Sequence, residues 1–237
     1  MSDAPDPEHT SELRSFGRRR GRKPSPRQVQ LLAERLPELS IPLTREAPRP
    51  LARLFEHGAV ADVWLEIGFG GGEHLVHQAR SHADVGLIGS EPFEDGVIKV
   101  LSDVEAHGIT NIRLHADDAR PLLRWLPEAS LGRVFILFPD PWPKRRHAKR
   151  RLVSPATLAL IVRALRIGGE LRVATDIGAY ARSTLLAVAA TPGLVWTARG
   201  PADWRQRPPD AIATRYEAKA LAAGRTCTYL RFRRIAV

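Results

Sequence analysis

Four carboxylates fall where apolar runs of this 237-residue chain give way to turns: Glu66 in LEIGFGGG, Glu91 in IGSEPF, Asp118 in HADDARP and Asp140 in FPDPWPK. The first sits inside a glycine turn with Gly68, Gly70 and Gly72 in a G-x-G-x-G pattern. Glycines there let the backbone turn tightly and approach a ligand without Cβ clashes. A dinucleotide fingerprint requires glycine at 73, where this chain has Glu73, a side chain that repels a pyrophosphate at a helix N-terminus. A nucleotide-like cofactor without that phosphate pair is the better match. Glu91 lies 19 residues after Gly72, where an acid accepts hydrogen bonds from both ribose hydroxyls. Asp118 is placed to accept from an adenine amino group, with adjacent Asp117 competing for the role. Two prolines stiffen the loop around Asp140 and hold one carboxylate at a strand end. Trp142 adds a rigid aromatic face, and a basic run follows at once.

These acids need a scaffold that brings strand ends together. ADVWLEIGFG, VGLIGSE, NIRLHADD, GRVFILFPD and GELRVATD read as buried strands. EHLVHQARSH, DGVIKVLSDVEAHG, PLLRWLP and SPATLALIVRALRIGG read as helices between them. That alternation predicts a mostly parallel α/β sheet covered on both faces, whose ligands bind at the carboxyl edge. After the helix YARSTLLAVAAT, GLVWT and TCTYLRFRR predict two more strands, separated by a polar insertion over 200–224. Residues 1–25 read as a flexible basic tail, and 26–60 as a helix from Pro26, a Pro-rich linker and a second helix, PLARLFEHG. Residues 61–237 read as the main domain.

Composition narrows the partner. The net charge is +10. Residues 14–27 hold seven Lys/Arg and no acid, and 144–151 hold six, which leaves the remainder of the chain net negative. Two concentrated basic arms on a slightly acidic body suit a polyanion. Every apolar run is interrupted well short of a membrane span, and the N-terminal basic residues are followed by no apolar core, so a cytoplasmic location is expected. The single cysteine, Cys227, excludes disulfides within the chain and reads as a buried small hydrophobe. His74 and His77 lack partners at metal-ligand spacing and read as surface or packing residues, so no metal is called for.

The acidic and glycine constellation resembles class I S-adenosylmethionine-dependent methyltransferases over about residues 60–235. More narrowly, PDPWPKRRHAKRRLV is similar to the PDPW-K-x-R-H-x-K-R-R segment of bacterial tRNA (guanine-N7-)-methyltransferases. The tail Arg14-Ser15-Phe16-Gly17-Arg18-Arg19, Ala174-Thr175-Asp176 and Thr214-Arg215-Tyr216-Glu217 agree with that family at matching distances. The resemblance implies a Rossmann-like fold with a seven-stranded sheet, S-adenosyl-L-methionine as methyl donor, and N7 of guanine-46 in the tRNA variable loop as acceptor. It implies that Glu66, Gly68, Gly70, Glu91, Asp118 and Asp140 contact the cofactor, Asp140 being catalytic as well. Lys144, Asp176, Thr214, Arg215, Tyr216 and Glu217 are implied to bind the target nucleotide, and Arg146, His147, Lys149, Arg150 and Arg151 the RNA. Trp142 or Tyr216 could stack on the purine, or pack within loops. No protein partner is called for. Three departures from the family pattern stand out: Ala220 after the T-x-Y-E element, and Ser90 and Pro92 flanking Glu91. A methyltransferase of small molecules or proteins, and an RNA-binding module that keeps only the fold, are the competing readings.

Overall fold

The computed structural model describes residues 19–21, 23–55 and 60–237. Most of the tail expected over 1–25 lies outside the described residues. The helix expected from Pro26 is α1, Pro26–Leu39, and it runs further than VQLLAERL. Its start is a reciprocal cap in which the Ser25 hydroxyl accepts from the Gln28 backbone N–H and the Gln28 side-chain Oε1 accepts from the Ser25 N–H. Leu31 and Leu39 are buried, and the chain beyond the helix joins the sheet where the Ile41 N–H donates to the Leu114 carbonyl (3.0 Å). PLARLFEHG was expected to be a helix. Its described part forms a 3-10 turn, Leu51–Leu54, with Leu51 and Phe55 packed into the core, and residues 56–58 lie outside the described residues.

From there strands and helices alternate: β1 (Asp62–Ile67), α2 (Glu73–Ser81), β2 (Val85–Ser90), α3 (Glu94–His107), β3 (Ile112–His115), α4 (Ala119–Trp125), β4 (Leu131–Leu137), α5 (Pro155–Ala164), β5 (Leu165–Thr175) and α6 (Gly178–Ala189). The closing elements are β6 (Leu194–Trp196), α7 (Ala202–Arg205), α8 (Arg215–Ala222) and β7 (Thr228–Arg234). The seven strands form one sheet in the order β3-β2-β1-β4-β5-β7-β6. β1 to β5 pair in parallel, and β7 runs antiparallel between β5 and β6.

One boundary differs from expectation. LRIGG was read as the end of a helix but belongs to β5, where Leu165 pairs with Leu131 across an irregularity and Gly168 turns with φ +81°.

Side-chain alternation along the strands splits the core into two layers. Val63, Leu65 and Ile67 of β1 pack with α4, α5 and α6, whereas Trp64 packs with α1, α2 and α3. Glu66 shares the parity of Trp64, so the sheet places this acid on the α1–α3 face, beneath the helix that follows the glycine turn. Among the described residues, no helix is long and apolar enough to cross a membrane, and no group of three or more His, Cys, Asp or Glu could hold a metal ion.

Candidate active site

The glycine turn between β1 and α2 is held by its lack of side chains. Gly72 ends it with φ +81°, and a Cβ there would lie 2.2 Å from Val100 Cγ2 of α3. Gly70, at φ +56°, runs under the Tyr216 ring, 2.9 Å from where its Cβ would be. Larger residues at either position would push apart elements that the site needs in contact.

Next to this turn, at the carboxyl ends of β1 to β4, lies an open cavity of about 400 Å³. Gly68, Gly70, Glu91, Asp118, Asp140 and Tyr216 all line it, together with Trp142 and Arg150. Glu91 closes β2 and is buried. One oxygen accepts from the Gly70 N–H (2.7 Å) and the other from the Phe93 N–H (2.9 Å), so the acid braces the glycine turn from across the cavity. Burial raises its pKa above the ordinary carboxylate value; the two backbone N–H groups oppose the rise, and the charges of Asp140 and Glu66 add to it. Ser90, an unusual residue for the family, has a task of its own: its hydroxyl donates to the Asp117 carbonyl (3.0 Å) and ties β2 to the next acidic loop. Asp118 caps α4, accepting from the Arg120 N–H and guanidinium, both at 2.8 Å. Asp117 pairs with Arg19, and the Arg19 carbonyl accepts from the Glu94 N–H (2.9 Å), so the first described residues lie along the cavity rim.

Asp140 is exposed on a loop of unusual backbone, since Phe138 and Trp142 have φ of +50° and +40° without being glycine. Arg151 holds that loop from below, donating to the carbonyls of Pro141 (3.1 Å) and Trp142 (3.4 Å). The basic run forms a 3-10 segment, Arg145–Arg150, and Lys144 just before it, Arg146 and Lys149 are exposed. The edge of the His147 ring meets Trp142 at 5.8 Å, and the Arg150 guanidinium stands over the same indole at 5.0 Å. Arg151 therefore supports the acidic loop, whereas Arg146 and Lys149 point their charge outward.

The other candidate residues gather beside this cavity. Thr214 caps α8 by accepting from the Glu217 N–H (3.2 Å). Glu217 is only 3% exposed, and one of its oxygens accepts from Tyr229 Oη (2.7 Å) and Arg207 (3.1 Å). Burial, then the Glu217 contact, pushes the Tyr229 hydroxyl far above its usual range. Asp176 accepts from Arg225 Nε at 2.6 Å. Arg215 is exposed, with its guanidinium over the Tyr216 ring at 5.2 Å.

Glu66 does not line the cavity. It lies behind the turn, 2% exposed, bonded to His74. Arg207 and Tyr229 escaped the reading of the sequence because their partner, Glu217, belongs to another element, and His74, read there as a surface or packing residue, is buried with a bond to Glu66 that the reading did not include. Only the eight-residue separation of Glu66 and His74, strand to helix across the turn, could have signalled a pair.

A family model described as "Putative methyltransferase" matches residues 60–230. Among solved structures, the 16S rRNA methyltransferase KamB matches with a TM-score of 0.57 and 16% identity, covering 81% of this chain and 96% of its own. An rRNA methylase from Streptococcus thermophilus matches at 0.50 and 12%, covering 74% and 87%. At these identities the likeness is one of fold, the Rossmann-like methyltransferase sheet. Sequence relatives are much nearer. A tRNA (guanine-N(7)-)-methyltransferase of Rhodospirillum rubrum is 53% identical over 95% of this chain and 89% of its own. One of Ruegeria sp. is 48% identical over 98% and 94%. With identity this high over nearly the whole length, the chain belongs to the bacterial tRNA (guanine-N7-)-methyltransferase family.

Proposed function

We propose that the protein transfers the methyl group of S-adenosyl-L-methionine to N7 of guanine-46 in the variable loop of tRNA. One observation carries this reading: a single cavity is lined by Gly68, Gly70, Glu91, Asp118 and Asp140, and the Asp140 loop runs directly into an exposed basic segment. The names of the relatives support the acceptor.

The residues suit the donor. The cavity is within the usual range for a ligand of this size, and the glycine turn leaves open space at Gly68, where a Cβ would meet nothing within 4 Å. Glu91 and Asp118 retain lone pairs for ribose hydroxyls and an adenine amine, while no anion cradle is needed for a cofactor without phosphates. Bound there, the donor supplies an electrophilic methyl on a positively charged sulfur. Glu66 supports the turn from behind.

Guanine N7 already carries a free lone pair, so no general base is required. The chain's task is to orient the reactants, which contributes up to about 7–11 kcal/mol when alignment is good. Positive charge passes to the purine during the step, and the Asp140 carboxylate stabilises it there. Asp176 and Glu217 accept from guanine N1–H and its exocyclic amine, a pattern adenine does not offer. Lys144 and Arg215 contact phosphate or the purine oxygen, Tyr216 or Trp142 stacks on the base, and Arg146, His147, Lys149 and Arg150 hold the RNA backbone. No metal and no protein partner enter this scheme. The test is to map the methylated nucleotide in an unmodified tRNA transcript incubated with protein and donor. Methylation at N7 of guanine-46 is expected, and a transcript with every guanine N7 unmodified would reject the function.

A further inference from the structure

His74 and Gln78 stand one turn apart on α2 and are 2% and 0% exposed, although neither lines the main cavity. His74 Nδ1 lies 2.8 Å from Glu66 Oε2. A carboxylate oxygen accepts, so Nδ1 carries a proton and donates, and Nε2 faces Gln78. The Gln78 amide nitrogen, 3.2 Å away, donates to it, and donates also to the Asp210 carbonyl (2.9 Å). Turning that amide round would set oxygen against the Asp210 carbonyl. Gln78 Oε1 is instead buried without a partner, an unmatched acceptor tolerated because the nitrogen makes both bonds. Phe135 packs edge-on against the imidazole, with ring centroids 4.7 Å apart, and fixes its orientation.

The far end of this chain of bonds is equally fixed. The Asp210 carboxylate accepts from Arg172 (2.8 Å) and Arg133 (3.3 Å), and Glu170 pairs with both arginines. Asp210 thus pins to the sheet the segment that carries Arg207, the partner of Glu217, and Thr214, the cap of α8.

We propose that Glu66, His74, Gln78 and Asp210 form a positioning chain, buried at its first three members, that couples the glycine turn to the segment bearing Arg207, Thr214 and Glu217, making donor and tRNA bind cooperatively. The inference rests on the function proposed above.

The test uses the full chain, S-adenosylhomocysteine as probe and an unmodified tRNA transcript. The probe's Kd is measured with and without saturating tRNA, and thermal midpoints confirm folding. In the unsubstituted protein, tRNA should tighten probe binding by about fivefold or more. Gln78→Met fills the same space but breaks both bonds. It should bring that ratio close to one while leaving the Kd of the probe alone within about twofold, since Gln78 does not line the cavity. His74→Leu strips a buried carboxylate of its partner and should weaken the probe alone by roughly tenfold. His74→Asn restores a donor toward Glu66 without reaching Gln78, so it should recover probe affinity but not the coupling. Should His74→Leu fail to fold, the Asn and Met variants carry the test. An unchanged ratio in folded Gln78→Met, or no coupling in the unsubstituted protein, overturns the positioning chain. An unsubstituted protein that binds neither probe nor tRNA overturns the proposed function itself.

Discussion

The acids of the site differ in what holds them, and their expected mutant behaviour differs accordingly. Asp140 is exposed, so its replacement disturbs little of the core, and Asp140→Ala should cut single-turnover methylation by about 10²–10³-fold. Its tRNA affinity should stay within a few-fold of the original, and a large affinity loss with normal chemistry would remove Asp140 from the catalytic step. Glu91 is buried, and burial raises its pKa. The folded protein therefore takes up this proton more readily than the unfolded chain. Above the ordinary value of 4.5, and up to the raised one, Glu91 ionisation makes stability fall as pH rises. Ligand binding runs the opposite way, because ribose hydroxyls and the Gly70 N–H need the ionised form. Probe Kd should rise as pH is lowered from about 7 to about 5. Glu91→Gln should bind weakly with most of that dependence gone, and a retained pH profile would assign it to another group. These acids, with the glycines, could be read from the sequence because each follows a strand directly. Glu217 was legible as a motif, but its ties to Arg207 and Tyr229 were not, since the contacts join three separate elements.

At the scale of elements, the loop from Phe138 to Arg151 joins two roles that the sequence runs together. All six cations of 144–151 look alike in the sequence, and a reading by type assigns Arg151 to RNA beside Arg146 and Lys149. The fold separates them: Arg151 turns back to the Pro141 and Trp142 carbonyls, at a loop whose strained Phe138 and Trp142 need support. Arg151→Ala should lower kcat by about tenfold or more through a misplaced Asp140, with KM for tRNA little altered. Arg146→Ala and Lys149→Ala should instead raise that KM and each reduce the log–log salt slope by roughly 0.7–1. If all three behaved alike in steady-state kinetics, the division would fail. The alternation of strands and helices was legible for the same reason that these details were not. Hydrophobic period reports which face of an element is buried, as with Val63, Leu65 and Ile67 against Trp64. It does not report where one element yields to the next, so β5 began earlier than expected, at Leu165, and Leu51–Leu54 form a 3-10 turn rather than the start of an α-helix.

Across the whole molecule, charge is segregated: the two basic arms exceed the net charge of +10 by themselves, so the remainder of the chain is slightly net negative and the arms carry the excess positive charge that suits RNA. The first arm reaches the described structure at its inner end. There Arg19 pairs with Asp117, Arg20 approaches Glu94 at 3.8 Å, and the Gly21 N–H donates to Asp95 (3.2 Å). Exposed pairs such as these contribute about 0–1 kcal/mol each, so they direct the arm along the cavity rim more than they stabilise the fold. Removing residues 1–24 leaves the Ser25 cap of α1 in place and takes away six Lys/Arg. Arg19 and Arg20 already have acidic partners, and each of the other cations that meets a phosphate contributes roughly 0.7–0.9 to the log–log salt slope of tRNA binding, so the slope should fall on truncation. KM for tRNA should rise more than kcat falls, with the thermal midpoint almost unmoved. The double variant Arg19→Ala/Arg20→Ala separates steering from anchoring, because it removes the rim contacts while sparing the outer cations. Its salt slope should stay near that of the full chain. If the truncated protein kept the original slope, the arm would have no part in RNA affinity, and the 144–151 segment would have to supply it alone.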